Sequence, residues 1–340
     1  DGWPDVMTTD MLPEDEKVLK SSLGDDPLDI YTAQRRFGYS NQYARNCLQL
    51  NTGQGLRFSD IALFSGVAAT DWSWSPLIAD FNLDGQPDIF VSNGIKNRPN
   101  DLDYIKFISG LKHNRSGIGV REHDKEILEH LPPGKWHNYM FEGSADLRFK
   151  DQSASWGFES ASLSQGAAYA DLDGDGDLDI ITNNMNEPAG IYQNNTREKN
   201  TGNHFLNLAL HGKAPNNFAI GTKVFLFLKD QVRFREMQTT KGFMSSSAPM
   251  LNFGLGKATV ADSLLIIWPD NTVQVMRKVN ADTTLQISYQ RQQNDTINQQ
   301  QDYIKNLLNK KQPNHFEDVT QNTSINFIHT EDTYFDFNDQ

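Results

Sequence analysis

Apolar and acidic positions follow one another in the same order at two places in the chain. Each place has a short apolar segment, an acidic turn and a second apolar segment rich in β-branched and aromatic residues. The segments are 77–79, 80–88 and 89–91 in the first copy, and 167–170, 171–179 and 180–182 in the second. This pattern predicts a strand, a tight loop and a strand.

The surroundings of the two acidic turns repeat as well. A Phe-x-Asp triplet followed by a glycine comes before each turn, as Phe58-Ser59-Asp60 and Gly66, and as Phe149-Lys150-Asp151 and Gly157. A truncated copy opens the chain at 1–6, and the beginning of another stands at 316–320. Short strands in regular repetition predict an all-β fold with β-propeller blades.

Residues 204–289 have a different pattern. Their alternating runs at 205–210, 224–228 and 264–268 predict the strands of a compact β-sandwich or barrel, and no acidic turn lies among them. We therefore expect a separate small β module at 204–289, which we call the sandwich module.

Two polar stretches interrupt these units. Residues 97–136 have apolar positions at helical spacing, at Leu102, Ile105, Ile108 and Leu111, and are predicted to form an insertion within a propeller segment that spans 1–203. Residues 290–315 are rich in Gln, Asn and Lys and are predicted to form a polar, helical linker. A further blade is expected to begin in 316–340.

Composition excludes several classes of protein. The formal net charge of −13 argues against nucleic acid as a partner, which requires a concentrated basic face. No window approaches the roughly 20 apolar residues of a membrane span. Cys47 is the only cysteine, so no intrachain disulfide can form, and its apolar neighbours predict a buried, inert thiol. Whether a signal peptide or lipid anchor precedes Asp1 stays open.

The acidic turns have the spacing of a calcium loop, in which oxygen ligands stand at positions 1, 3, 5 and 9 and a main-chain carbonyl at position 7. Turn 1 (80–88) and turn 2 (171–179) are thus two complete predicted calcium sites, and a third is truncated at the N-terminus. The predicted ligands are Asp80, Asn82, Asp84, the carbonyl of Gln86, and Asp88; Asp171, Asp173, Asp175, the carbonyl of Asp177, and Asp179; and, in the truncated site, Asp1 and Asp5.

Electrostatics supports a cation at these turns. Two carboxylates about 4 Å apart repel by roughly 4 kcal/mol at an effective dielectric near 20, so several in one turn are costly without an ion. Gly85 and Gly176 follow the position-5 ligand, where the chain must turn sharply. An EF-hand would need a glutamate at position 12, which is Val91 or Thr182 here. The competing interpretation is a set of exposed turns without metal.

The motif D-x-[DN]-x-D-G-x-x-D, followed by apolar β residues, resembles the FG-GAP/VCBS repeats of integrin-type propellers and of the CRTAC1-like, or cartilage acidic protein, family. The sandwich module is similar to the ASPIC/UnbV domain. Its hallmarks are Ile220-Gly221-Thr222-Lys223-Val224, Gly242-Phe243-Met244-Ser245-Ser246, Phe253-Gly254-Leu255-Gly256 and Trp268-Pro269-Asp270. In the family a glycine usually follows the Trp-Pro-Asp turn, and this chain has Asn271 there. Asparagine tolerates the same left-handed geometry. Further stretches, among them Asp10-Met11-Leu12-Pro13, resemble large surface proteins of Bacteroidota.

This resemblance implies a calcium-stabilised binding or scaffold protein on the surface of a Gram-negative bacterium. Its expected partners are a protein or glycan ligand and SusC/SusD-type proteins of an outer-membrane nutrient-uptake complex. We do not expect an enzyme, because G-x-S-x-G and H-E-x-x-H motifs are absent and Glu142, Glu159 and Glu187 are scattered. The alternative is a polysaccharide lyase or hydrolase on a propeller scaffold.

Overall fold

The computed structural model describes residues 3–24, 27–53, 57–113, 127–199, 202–229 and 231–290. Residues 1–294 form one compact unit. Asp1, most of the predicted linker at 290–315 and the expected blade at 316–340 lie outside the described residues.

The described part of the chain is dominated by strands, as the sequence predicts, and short helices occur near the N-terminus, at Ala62–Ser65 and in the insertion. In chain order the elements are β1 (Val6–Thr8), α1 (Glu16–Ser21), α2 (Leu28–Arg36), β2 (Cys47–Asn51), β3 (Phe58–Asp60), α3 (Ala62–Ser65), β4 (Ser73–Ala79), β5 (Asp88–Asn93), β6 (Ile95–Asn97), α4 (Leu102–His113), β7 (Pro133–Gly134), β8 (Trp136–His137), β9 (Tyr139–Gly143), β10 (Phe149–Asp151), β11 (Ala161–Ser162), β12 (Ser164–Ala170), β13 (Asp179–Asn184), β14 (Gly190–Tyr192), β15 (His204–His211), β16 (Lys223–Leu228), β17 (Gln231–Glu236), β18 (Leu251–Gly256), β19 (Val260–Ile267), β20 (Val273–Asn280) and β21 (Thr283–Ser288).

Three antiparallel sheets correspond to the repeated units, in the orders β1-β2-β3, β4-β5-β9-β10 and β12-β13-β14. Strand β12 lies against β4 and β5, so the second and third sheets are neighbours. Apolar side chains fill the spaces between sheets, with Ile89, Val91 and Tyr139 on one side and Phe90, Phe158 and Ile180 on the other. These are the packed blades of a propeller-like, all-β fold.

The sandwich module has two sheets, in the orders β18-β15-β21 and β17-β16-β19-β20. Their facing residues form a core of their own, in which Leu206, Leu226, Phe253 and Trp268 are almost completely buried. The three strands predicted from alternating apolar runs are confirmed as β15, β16 and β19. Asn271 has φ +64°, so the left-handed turn expected at this departure from the family pattern is also confirmed.

The insertion contains the predicted helix, as α4, but α1 and α2 were not predicted. Both are short and polar, and neither buries a residue, so they lack the apolar stripe that identifies a helix in a sequence. Cys47 is partly exposed, and the prediction of a buried thiol is wrong. It lies on the small first sheet, with the Arg45 guanidinium 3.8 Å from its sulfur.

The sandwich module is in direct contact with the blades. The N–H of Phe243 donates to Ser75 Oγ on β4 at 3.0 Å, and the Phe243 and Trp74 rings lie 5.1 Å apart. The N–H of Gly256 donates to the carbonyl of Leu83 in turn 1 at 2.9 Å. A Cβ added to Gly254 would lie 2.0 Å from Asp80 Oδ2. The module therefore has its own core but shares a close backbone interface with the acidic turns.

Gly254→Ala should disrupt this interface, because the new methyl group would collide with the buried Asp80 carboxylate and lie 2.7 Å from Leu83 Cα. Overpacking of this kind costs about 1–3 kcal/mol. We expect a lower melting temperature in thermal unfolding followed by circular dichroism.

Gly24→Ala is the matched control, because a Cβ at position 24 would meet nothing within 4 Å. Its melting temperature should equal that of the wild type. Equal melting temperatures for both variants would contradict the close packing of β18 on turn 1.

Candidate metal centre

Turn 1 closes through its own side-chain acceptors. The Asp80 carboxylate accepts the N–H of Gly85 at 2.8 Å, and Asn82 Oδ1 accepts the N–H of Asp84 at 3.0 Å. Asp84 Oδ1 in turn accepts the N–H of Gln86 at 2.7 Å. Gly85 has φ +95°, as the sequence predicts for this position. The side chains at positions 1, 3 and 5 are therefore turned toward the inside of the loop.

Two of the turn 1 carboxylates are deeply buried. Asp80 is 2% and Asp88 0% exposed. Burial raises the pKa of Asp80 to about 7, with the Asp84 charge as a further cause, and raises the pKa of Asp88 to about 8. Asp80 Oδ1 is buried and has no hydrogen-bond partner among the described residues. Such a group is costly unless a cation or proton satisfies it.

The sandwich module supplies positive charge next to turn 1. A Cβ on Gly85 would lie 1.9 Å from Nη2 of Arg233 on β17, so this guanidinium rests on the backbone of the turn. Arg233 and its neighbour Arg235 both lower the pKa of Asp80, against the larger effect of burial. Burial in turn lowers the pKa of Arg233. Sequence reasoning missed these arginines, because they lie about 150 residues from the turn and carry no motif.

Turn 2 also closes through its own side-chain acceptors, and it carries more negative charge than turn 1. Asp171 Oδ1 accepts the N–H of Gly174 at 2.8 Å, and Asp175 Oδ1 accepts the N–H of Asp177 at 3.0 Å. Oxygen atoms of Asp171, Asp173 and Asp175 all lie within 4.8 Å of one another, which is a spacing that one metal ion can bridge. The structure thus brings three of the predicted turn 2 ligands together.

Asp177 was predicted to contribute its carbonyl, and the structure adds its side chain. The Asp177 carboxylate is completely buried, and burial raises its pKa. Its oxygen, one from Asp175 and one from Glu198 also lie within 4.8 Å of one another. Glu198 was not found from the sequence, because it lies 19 residues after Asp179, the last residue of the turn, in a polar segment without a distinguishing pattern.

The aspartate at position 9 has a shared structural role. Asp88 accepts the N–H of Phe81 and the N–H of Gly143, and Asp179 accepts those of Leu172 and Asn194, each bond being 2.8–2.9 Å long. One oxygen of each thereby closes its own turn. The other holds the end of β9 at Gly143 or the segment just after β14 at Asn194.

The same bond is present in the truncated N-terminal copy. Asp5 Oδ1 accepts the N–H of Asn51 at 2.8 Å. A carboxylate oxygen that accepts one hydrogen bond keeps a lone pair, so Asp88 and Asp179 also remain able to ligate a metal.

The donor set of both turns fits a hard cation such as calcium. Carboxylate, amide and carbonyl oxygens are its preferred ligands. The turns contain no histidine or cysteine, so they offer no imidazole nitrogen or thiolate sulfur as a metal ligand. The buried side-chain atoms of turn 2 that have no hydrogen-bond partner among the described residues are Asp175 Oδ2 and Asp177 Oδ1, both of them carboxylate oxygens. The two metal-spaced groups found among the described residues consist of carboxylates alone.

The glutamates considered for catalysis have separate surroundings. Glu142 accepts hydrogen bonds from Asn82 and Gln152, at 3.3 and 2.6 Å. Glu187 pairs with Lys135, and Glu159 is exposed. Glu142 also borders a pocket of about 400 Å³ between turns 1 and 2, whose apolar side includes Trp156 and Tyr192.

Comparison with protein families agrees with the two kinds of unit. Residues 23–91 match the FG-GAP-like repeat, and residues 212–294 match ASPIC and UnbV. The first range contains turn 1. Turn 2 lies outside both ranges, so its assignment as a metal site depends on its spacing and geometry alone. The chain therefore combines an FG-GAP-like repeat and an ASPIC/UnbV match in a mostly β, propeller-like fold.

The chain is also similar to cartilage acidic protein 1. It is 28% identical to the Xenopus tropicalis protein over 243 residues, which are 70% of this chain and 31% of that protein. It is 27% identical to the Homo sapiens protein over 270 residues, which are 77% of this chain and 34% of that protein. The chain thus spans about a third of the length of these relatives. No helix among the described residues is long and apolar enough to cross a membrane.

The raised pKa values predict how stability of the metal-free protein depends on pH. Asp80 and Asp88 ionise near pH 4 in the unfolded chain but only near pH 7 and 8 in the folded one. Between these values the folded state binds more protons, so its stability falls as pH rises. We expect the melting temperature in excess chelator to decrease from pH 5 to pH 8.

Saturating calcium should reduce this decrease, because an ion stabilises the ionised carboxylates that burial disfavours. The comparison uses the same buffers with and without calcium. A melting temperature in chelator that stays constant or rises over this range would contradict the assignment of Asp80 and Asp88 as buried acids.

Proposed function

We propose that this chain is an extracellular binding or scaffold protein in which calcium ions in turns 1 and 2 stabilise the propeller blades. The observation that supports it most strongly is the burial of converging carboxylates, with Asp80 and Asp177 each retaining an oxygen without a partner in the described structure. The FG-GAP-like and ASPIC/UnbV matches support a binding role, since these are not known as enzyme families.

Calcium at these positions acts on tertiary structure. Each turn joins two strands of a blade, and its position-9 aspartate binds an N–H at or just after the end of the adjacent strand. Turn 1 also contacts β17 and β18 of the sandwich module. An ion that fixes the turn therefore strengthens the links between blade and module, and its binding energy becomes folding energy.

We infer export to the surface of a Gram-negative bacterium and association with an outer-membrane nutrient-uptake complex of the SusC/SusD type. This inference is supported by the resemblance of the motifs to large surface proteins of Bacteroidota. The proposed ligand is a protein or glycan met at the cell surface.

Removal of calcium tests the structural role. A ligand at 100 times its dissociation constant stabilises the folded state by about 2.7 kcal/mol, so a calcium chelator should lower the melting temperature by several degrees. Restoring calcium should reverse this change, and magnesium should be less effective because it demands a tighter octahedral site.

Asp84→Asn and Asp173→Asn should reduce the response to chelator, because each removes one ligand charge. Glu159→Gln is the control, since Glu159 is exposed and lies outside both turns. The proposal fails if the wild-type melting temperature is the same in chelator and in calcium.

The alternative, a polysaccharide-active enzyme, predicts bond cleavage. A screen of the purified chain against a panel of glycans, with reducing ends and unsaturated products as the readout, should show binding at most. Calcium-dependent turnover that is lost in Glu142→Gln would favour the enzyme instead, because Glu142 borders the pocket between the two turns.

A further inference from the structure

The two acidic turns differ in how their charge is balanced. Turn 1 has Gln86 at position 7 and lies beside Arg233 and Arg235. Turn 2 has Asp177 at this position, and Glu198 adds another carboxylate. Turn 2 therefore concentrates more negative charge than one divalent ion neutralises, whereas turn 1 has arginines that share this task.

The guanidinium of Arg197, whose main-chain N–H binds Asp177, is paired elsewhere and does not neutralise turn 2. The guanidinium of Arg197 is 3.0 Å from Asp282 Oδ1 and donates to the carbonyl of Asn203 at 2.8 Å. It also lies over the Phe205 ring, at 5.2 Å. Among the described residues, no lysine or arginine forms an ion pair with Asp175, Asp177 or Glu198.

Four carboxylates of turn 2, together with Glu198, form two metal-spaced groups that have only Asp175 in common. Asp171, Asp173 and Asp175 form the first group, and Asp175, Asp177 and Glu198 form the second. Asp175 Oδ1 accepts the N–H of Asp177, and Oδ2 is buried without a partner in the part of the chain that the structure describes. A carboxylate with two such oxygens is able to bridge two ions.

Asp177 provides independent evidence for a ligand in the second group. Its side chain is 0% exposed, and Oδ2 accepts the N–H of Arg197 at 3.1 Å. Oδ1 has no hydrogen-bond donor within the described ranges, although it is fully enclosed. A buried carboxylate oxygen next to two further carboxylates is costly unless a cation or a proton satisfies it, and a calcium ion would serve all three carboxylates at once.

We propose that turn 2 holds a second calcium ion, bound by Asp175, Asp177 and Glu198, with Asp175 shared between the two ions. This position rests on the proposed calcium binding of turn 2 and extends it. Turn 1 has no counterpart, because Gln86 replaces the position-7 carboxylate. The second ion would join turn 2 to the segment after β14, in which Glu198 lies.

The test is the number of calcium ions bound per chain, measured on the purified 340-residue chain by equilibrium dialysis with elemental analysis. Glu198→Gln and Asp177→Asn should each bind one ion fewer than the wild type at a calcium concentration that saturates it. Asp177→Asn is isosteric and keeps an oxygen for the Arg197 N–H, and Glu198 is exposed, so both variants should fold. Near-ultraviolet circular dichroism checks this.

Glu159→Gln is again the control and should bind as many ions as the wild type. If Glu198→Gln and Asp177→Asn also match the wild type in number and affinity, the second position is disproved while calcium binding by the turns stands. If the wild type binds no calcium, the proposed function fails and the second position with it.

Discussion

The structure depends on the burial of several carboxylates within each nine-residue turn. Hydrogen bonds from backbone N–H groups orient these side chains, as Gly85 does for Asp80, but they do not cancel the charge. Desolvation therefore dominates, and it raises the pKa values of Asp80 and Asp88 far above the ordinary value. Buried carboxylates of this kind are stabilised by protons, arginines or metal ions next to them, and protons leave Asp80 and Asp88 as the pH rises above about 7 to 8.

The sandwich module contributes positive charge and packing next to the acidic turns. At position 6 of each turn a glycine with positive φ lets the chain reverse, and the missing side chain leaves room for a group from the module. Arg233 occupies this place at Gly85, and the Phe205 ring occupies it at Gly176. The glycines thus have two roles, a conformational one and a packing one. This dual role explains why the module and the blades are closely linked although each has its own core.

The strands and the two acidic turns could largely be predicted from the sequence, because the residue patterns that specify them are local. The strands on both sides of Asp80–Asp88 follow from β-branched residues, and the glycine and aspartate spacing defines both turns. The same is true of β15, β16 and β19, whose apolar residues alternate. Helices α1 and α2 were missed because their faces are polar, and Cys47 was misjudged because its short strand lies on a small sheet that leaves it partly exposed.

The remaining features are products of tertiary structure. Arg233 contacts turn 1 and Glu198 lies close to turn 2, and each comes from a segment distant in sequence. Neither residue belongs to a sequence motif that predicts this contact. Two turns with nearly the same motif therefore have different electrostatic environments, one beside arginines and one with additional carboxylates. The motif determines that a turn can hold a cation, whereas the neighbours determine how much positive charge it needs. Because these neighbours come from the sandwich module at turn 1 and from the segment after β14 at turn 2, cations at the two turns stabilise different long-range contacts.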